Sequence, residues 1–431
     1  MSSAIHDYVM GHTLFSHHDH HCTFAEFEKN RAGYTHEALL GYAGADLVTA
    51  AGARPPEYAD SAARLEELWP RIRTTGYGRA VVSGCQELFG IEYAPANFAR
   101  ITEALQAVIA GKSASEIYDC FVREKANIRW VAQDGLFRPN RTDALQTDLY
   151  PDYYRFAFRF DDLFAIADSE PLSVLERFAG VSILSLDRLV TALHAAIDRF
   201  KNTGRMNAFK VGIAYKRDLN VTDPTRYEAE QAFSLIRNRK TFYAGSQQND
   251  AAVNQHEARA LSDYMLHRLL ERAHDENIPV QFHTGYLAGN WGSLAGTKAS
   301  LLIPLFDRYG RVRFDIFHGS WPWTSELGAI AKNYPNVYPD LCWAWAMNPE
   351  ETERTLSEWL DGVPYNKIFA FGADTGLPWC NVGYSMQARE GIARVLEAKI
   401  RKGFFAESTA EEVAAAIMLK NGEHFYGLSR K

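Results

Sequence analysis

Residues 312–343 read VRFDIFHGSWPWTSELGAIAKNYPNVYPDLCW. A short apolar run ends at His318, a helix-patterned stretch follows at 325–335, and a second apolar run, NVYPDLCW, closes the segment. Two strand-like runs separated by one helix predict a βαβ unit and therefore a parallel pair. The texture extends in both directions. Upstream lie NIRWVAQDG (127–135), YYRFAFRFD (153–161), AFKVGIAY (208–215) and PVQFHTG (279–285); downstream lies KIFAFGAD (367–374). Helix-patterned stretches separate most of them, at about 186–203, 256–277, 300–310 and 349–363. With an N-terminal strand near 13–20, eight strands are expected. Eight βα units predict an α/β fold of the (β/α)8 TIM-barrel kind. A doubly wound sheet is the alternative, but no GxGxxG follows any strand.

The region between the first two strands is different. Residues 24–126 carry helical patterns only, among them ANFARITEALQAVIAG (96–111) and SASEIYDCFVREKA (113–126). Ser113 and Glu116 form a capping-box pattern, and Pro55-Pro56 breaks the run. The expected organisation is a barrel formed by 1–23 and 127–431, with 24–126 a helical insertion after the first strand.

Composition narrows the class. The 431 residues are 47% hydrophobic and 23% charged, ordinary for a folded globular chain, and the formal charge is −7. A mildly acidic balance without long charge runs argues against nucleic-acid binding. The 5 cysteines are scattered and form no CxxC pair, which suits a reducing, cytoplasmic setting better than a disulfide framework. No signal-peptide pattern is visible. No apolar stretch approaches the ~18 residues of a membrane span.

In a barrel, chemistry sits at the C-terminal ends of the strands. The first strand ends in Ser16-His17-His18-Asp19-His20-His21, the second in Gln133-Asp134. The third carries Arg159 and Asp161, and the fourth Lys210 with Lys216-Arg217 after it. The fifth ends in His283, the sixth in His318, the seventh near Asp340 and the eighth in Asp374. Side chains alternate along a strand, so His18 and His20 share one face, and His17, Asp19 and His21 take the other. Two imidazoles on one face, with a further His and an Asp, suit zinc or a related divalent cation.

This set resembles the amidohydrolase superfamily: HxH on strand one, Lys on strand four, His on strands five and six, Asp on strand eight. FHTG (282–285), HGSWPW (318–323), NVYPDL (336–341), FGADTGLPW (371–379) and FKVGIAYKRDL (209–219) are similar to its amidohydrolase-2 branch. The resemblance covers about 10–22 and 127–400. It implies His18, His20, His283 and Asp374 as metal ligands, with zinc the first choice and manganese the second. It implies Asp374 and His318 as catalytic residues. Lys210 stands where some members carry a carboxylated lysine bridging two metals; a role in holding a substrate carboxylate is the alternative.

The implied reaction is hydrolysis of a C–N or C–O bond in a small, anionic substrate by metal-activated water. Non-oxidative decarboxylation and uronate-type sugar-acid isomerisation stay open on the same barrel. Arg159, Lys210, Arg217 and Trp321 are the expected substrate contacts, since Arg suits bidentate carboxylate recognition. Trp323, Trp343 and Trp345 are further candidates for a pocket wall, and Arg389 is a candidate to reach the site from its helix. A purely structural metal site is the non-enzymatic reading; such sites favour four closed ligands and Cys. A homo-oligomer is expected by resemblance.

Overall fold

The computed structural model describes residues 3–52, 63–136, 147–239 and 255–428. Seven parallel strands form one curled sheet in sequence order: β1 (Leu14–Asp19), β2 (Ile128–Leu136), β3 (Tyr154–Arg159), β4 (Met206–Val211), β5 (Val280–Phe282), β6 (Phe314–Ile316) and β7 (Val337–Pro339). Every successive pair except β2–β3 is joined by at least one α-helix, the usual crossover of a parallel pair; the described residues between β2 and β3 hold a single 3-10 turn, Thr147–Leu149. The expected α/β architecture is therefore present, with seven regular strands.

The stretch expected to form an eighth strand is extended but irregular. Its one ladder contact is the parallel bridge of Phe369 to Asp340. On one side it bonds to the chain after β7, through Phe369 N–H to Pro339 O and Trp343 N–H to Gly372 O. On the other it bonds to β1 and the residue after it, through His17 N–H to Phe371 O, Asp374 N–H to His18 O and His20 N–H to Thr375 O. The physical reason for the irregularity lies in the acceptors. Ser16 Oγ takes the Ala373 amide at 3.0 Å, and Asp19 Oδ1 takes the Thr375 amide at 3.1 Å. Side chains thus stand where ladder carbonyls would be, and β1 itself shifts register between Ser16 and Asp19.

Inside the curl the strands contribute small residues, Ala132, Ala157 and Ala208. Phe15 and Phe369 fill the space they leave, with Leu419, Phe425 and Tyr426 from the C-terminal helices. This plug seals the end of the sheet remote from the strand C-termini. The larger apolar core lies between the sheet and the surrounding helices.

Between β1 and β2 the described residues are helical, including Phe24–Asn30, Ala43–Ala51, Leu65–Ile72, Gly76–Phe89 and Phe98–Ile109. Thr23 and Glu26 form a capping box at the first of these, and Ser113 with Glu116 forms the one read from the sequence. The Pro55-Pro56 break lies outside the described residues. Gly76–Phe89 packs on the long helix Cys380–Arg401, where the backbones nearly touch: a Cβ on Gly383 would stand 2.0 Å from Ala80 O. Arg389, on that long helix, neither reaches the site nor faces solvent. It is buried and donates to the carbonyls of His12, Ala126 and Asn127, tying the N-terminal helix to the start of β2. Among the described residues no helix is long and apolar enough to cross a membrane.

Candidate metal and catalytic centre

At the C-terminal ends of the strands, His18, His20 and Asp374 converge, each offering a ligand atom within 4.8 Å of the others. The His18 and His20 rings meet edge to face with centroids 4.6 Å apart. His20 Nε2 lies 2.9 Å from Asp374 Oδ1, and its Nδ1 lies 3.0 Å from Asp134 Oδ2. Arg159 holds Asp134 in turn at 2.7 Å and Asp161 at 2.6 Å. Asp161 also accepts the Gly212 amide at 2.8 Å, which fixes the fork against β4. Asp374 adopts φ 53°, and His318, Ser320 and Trp343 also have positive φ. Strained backbone of this kind, clustered at strand ends, is characteristic of functional sites.

The ionisation states follow from burial and neighbours. Burial alone would raise Asp374, but the hydrogen bond from His20 and the charges of His20, His18 and His318 hold it far below the usual carboxylate range. Burial likewise opposes a charge on His20. Its bonds to Asp134 and Asp374 win and raise it to about 9. His18 is pushed well down, first by burial and then by the Lys210 charge. Its Nδ1 is buried without a hydrogen-bond partner. A neutral, unpartnered imidazole is in the form a metal requires.

His283 and His318 give a second reason to expect a cation. His318 Nδ1 faces Cys342 O at 3.0 Å, and His283 Nε2 faces Tyr286 O at 2.9 Å. Both carbonyls are acceptors, so each takes the single N–H of a neutral imidazole. The inner nitrogens, His318 Nε2 and His283 Nδ1, then oppose lone pair to lone pair at 3.0 Å. Burial lowers both residues, His318 to about 4, so an added proton is disfavoured. Asp374 Oδ2 stands 3.6 Å from His318 Nε2. A divalent cation accepting both lone pairs beside this carboxylate would resolve the conflict, so the residues present fit a metal.

The residues predicted as substrate contacts divide. Lys210 is buried at the site, its Nζ 3.5 Å above the Phe317 ring and without a hydrogen-bond partner. Burial lowers it to about 8. Arg159 is committed to two aspartates and acts on the site through Asp134. Arg217 is drawn away, paired with Asp263 at 2.6 Å and donating to Phe164 O at 2.7 Å. Trp321 is half-buried beside Tyr286, with ring centroids 5.3 Å apart. Trp343 reaches His318 at 5.2 Å, whereas Trp345 is buried with its indole N–H on Ala370 O. His17, Asp19 and His21 are all buried. His21 is fully engaged, by Tyr154 Oη at 2.5 Å and Asn381 Oδ1 at 2.8 Å.

Sequence reasoning missed Tyr42, Tyr77, Tyr215 and Tyr286. Tyr42 comes from the helical stretch between β1 and β2 and donates to Asp374 Oδ1 at 3.4 Å. Its ring packs on Trp343 at 4.7 Å, and Tyr77 packs on Trp343 at 6.2 Å. Tyr215 lies 4.5 Å from His283, and Tyr286 lies 5.6 Å from Trp343. For Tyr215 the signal was its place right after β4; for Tyr42 and Tyr77 there was none.

Residues 244–428 match the family model described as Amidohydrolase, a span that includes His283, His318 and Asp374. Protein fluG of Emericella nidulans is 28% identical over 238 residues, which are 52% of this chain and 26% of that protein. The chain therefore spans about a quarter of the curated relative it matches. Among solved structures, uronate isomerase from Thermotoga maritima aligns with TM-score 0.77 at 13% identity, over 98% of this chain and 96% of that one. Glucuronate isomerase from Caulobacter crescentus aligns with TM-score 0.75 at 18% identity, over 99% and 94%. At such identities the likeness is one of fold.

Proposed function

We propose that this chain, an amidohydrolase-family protein over residues 244–428, is a metal-dependent hydrolase of a small anionic substrate. The observation that carries the reading is the convergence of His18, His20 and Asp374 at the strand ends. His283 is taken as a further ligand because its inner nitrogen and that of His318 lack a shared hydrogen. Zinc is the preferred occupant and manganese the second. When bound, the metal supplies Lewis acidity, polarising a carbonyl and making water acidic enough to ionise near neutral pH.

The remaining work falls to the chain's own side chains. Asp374 is ionised and accepts a proton from the attacking water at a carboxylate oxygen, then returns it to the leaving nitrogen or oxygen. His318 is neutral, with its single N–H on the Cys342 carbonyl, so its Nε2 lone pair faces the centre and can accept a proton or hydrogen bond from the water or substrate there. Asp134 and Arg159 position His20. Lys210, with no partner of its own, binds a substrate carboxylate in a site that screens little. Tyr42 and Trp343 wall the pocket from above, and we read residues 24–126 as an insertion that caps it. We read residues 368–375 as the stave that closes the barrel.

A second reading is isomerisation of a sugar acid. It is favoured by the whole-length likeness in fold to two isomerases whose names specify uronates. Lys210 suits that carboxylate equally, and Asp374 would shuttle the proton between carbons. The deciding experiment is metal content of untagged protein beside a His18→Ala/His20→Ala variant, followed by assays for amide or ester cleavage, CO2 release and aldose–ketose exchange. Less metal per chain in the variant than in the wild type, with cleavage in the wild type, is expected. Exchange without cleavage would replace hydrolysis by isomerisation, and CO2 release would replace it by decarboxylation. Metal retained in full by the variant would remove His18 and His20 from the reading.

A further inference from the structure

Deeper inside the curl, nearer the plug, lies a second group of polar side chains that the proposed reaction does not use. His17 Nδ1 stands 3.6 Å from Asp340 Oδ2 and 3.8 Å from Asp315 Oδ2. All three side chains are essentially without solvent contact, as is Gln281. Part of the group is satisfied. Asp340 Oδ1 accepts the Cys342 amide at 2.7 Å, and Asp315 Oδ2 accepts the Tyr426 hydroxyl at 2.7 Å. Gln281 Nε2 donates to that same hydroxyl at 2.6 Å and to His17 O at 3.0 Å.

The unsatisfied atoms are the telling ones. His17 Nδ1, Asp340 Oδ2, Asp315 Oδ1 and Gln281 Oε1 are all buried with no hydrogen-bond partner. Leaving any one of them bare costs about 1–3 kcal/mol, and more for a charged group. Four in one enclosed region is not a sum that packing explains. Three of the four are acceptors, and a neutral imidazole can present a fourth lone pair. What this set lacks is positive charge. Burial and the Asp315 charge push Asp340 well above the usual carboxylate range, and the charge of Lys210, whose Nζ rests on the Phe317 ring, offsets them only in part.

We propose that His17, Asp315 and Asp340, with Gln281 beside them, form a second divalent-cation site inside the curl, separate from the His18–His20–Asp374 centre. One imidazole with carboxylate and amide oxygens suits zinc or manganese. Tetrahedral zinc with nitrogen and oxygen ligands at about 2.0–2.1 Å sets its donors about 3.3 Å apart. The 3.6 Å between His17 Nδ1 and Asp340 Oδ2 needs only a small contraction to reach that, and Asp315, whose Oδ2 also holds the Tyr426 hydroxyl, stands 3.8 Å from the same nitrogen. The site joins β1, β6 and the chain after β7, with Gln281 on β5, so its role is structural: it neutralises buried carboxylates and ties four parts of the curl together. The proposal does not depend on the hydrolytic reading.

The test uses full-length His18→Ala/His20→Ala protein, untagged and expressed in zinc-supplemented medium, so that metal can enter as the chain folds. Elemental analysis after exhaustive dialysis should find about one zinc per chain. Adding Asp340→Asn, or separately His17→Gln, should abolish it. Circular dichroism checks that each variant is folded, and if both fail to fold, anomalous diffraction from the parent should place zinc between His17 Nδ1 and the two carboxylates. Parent protein without zinc, zinc that persists through both substitutions, or an anomalous peak elsewhere would overturn the proposal. A wild type that loses all its metal with His18 and His20 would overturn it while leaving the hydrolytic reading intact.

Discussion

His20 is the most exposed member of the centre, keeping 37% of its side-chain surface open, yet it is held by two carboxylates. Burial works against its charge, but Asp134 and Asp374 raise it from 6.5 to about 9. The raised value fixes a sign. In metal-free protein the protonated ring stabilises the fold fully below pH 6.5, and this contribution is lost as pH rises through about 9. Metal binding runs the other way, because it must displace that proton. Zinc affinity is therefore expected to climb by about tenfold per pH unit from near neutral up to pH 9 and then level off. Competitive titration against a chelator of known pH dependence measures this. A flat profile across that range would show that His20 binds no metal. The residue scale also explains which side chains could be read in advance. His18, His20, His318 and Asp374 lie where a strand run stops, so position in the chain betrayed them. Arg217 lies in an equally suggestive place, but Asp263, forty-six residues on in the sequence, claims it.

Among the elements, the segment 368–375 shows how a few side chains alter a strand. Ser16 is central to it. Its hydroxyl donates to Asp19 Oδ2 at 2.6 Å and accepts the Ala373 amide at 3.0 Å. Ser16→Ala would leave that amide buried and bare and deprive Asp19 of a donor. The expected loss is about 1–3 kcal/mol in denaturant unfolding, with the slope against denaturant unchanged. Asp19 is already raised to about 7, chiefly by burial, with the Ser16 bond pulling it back down. The variant should raise it further. Because its folded value lies above the unfolded one of 3.8, ionising buried Asp19 costs stability as pH rises towards about 7; without the Ser16 bond that loss continues to higher pH, so the deficit should widen above about pH 7. An equal loss at every pH would argue against this account. The apolar runs located all seven regular strands and marked 367–374 as an eighth, which the structure leaves irregular with one isolated bridge. They could not reveal that a serine and an aspartate would stand in for ladder carbonyls there, because such substitution depends on a neighbour more than three hundred residues away.

For the molecule as a whole, the candidate centre is also a seam. His18 and His20 come from the end of β1, and Asp374 comes from the segment bonded beside it through the Asp374 and His20 amides. A cation held by these residues would tie the first and last parts of the sheet together. Removing it by chelation is expected to speed hydrogen exchange at the Asp374 and His20 amides far more than at amides between β3 and β4. Mass spectrometry resolves the two regions, and a uniform change would mean that the metal does not fasten the seam. The sequence by itself determined the alternation of strands and helices, the helical nature of the stretch after β1, and the residues that end each strand. These are local properties, set by side-chain periodicity and by where an apolar run gives way to a charge. Only the tertiary structure decided that Tyr42 reaches Asp374, that Arg159 serves His20 through Asp134, and that His17 meets Asp315 and Asp340. Each of those depends on how the curl of the sheet and the packing of distant helices bring separate segments within bonding distance, and no local pattern encodes such a meeting.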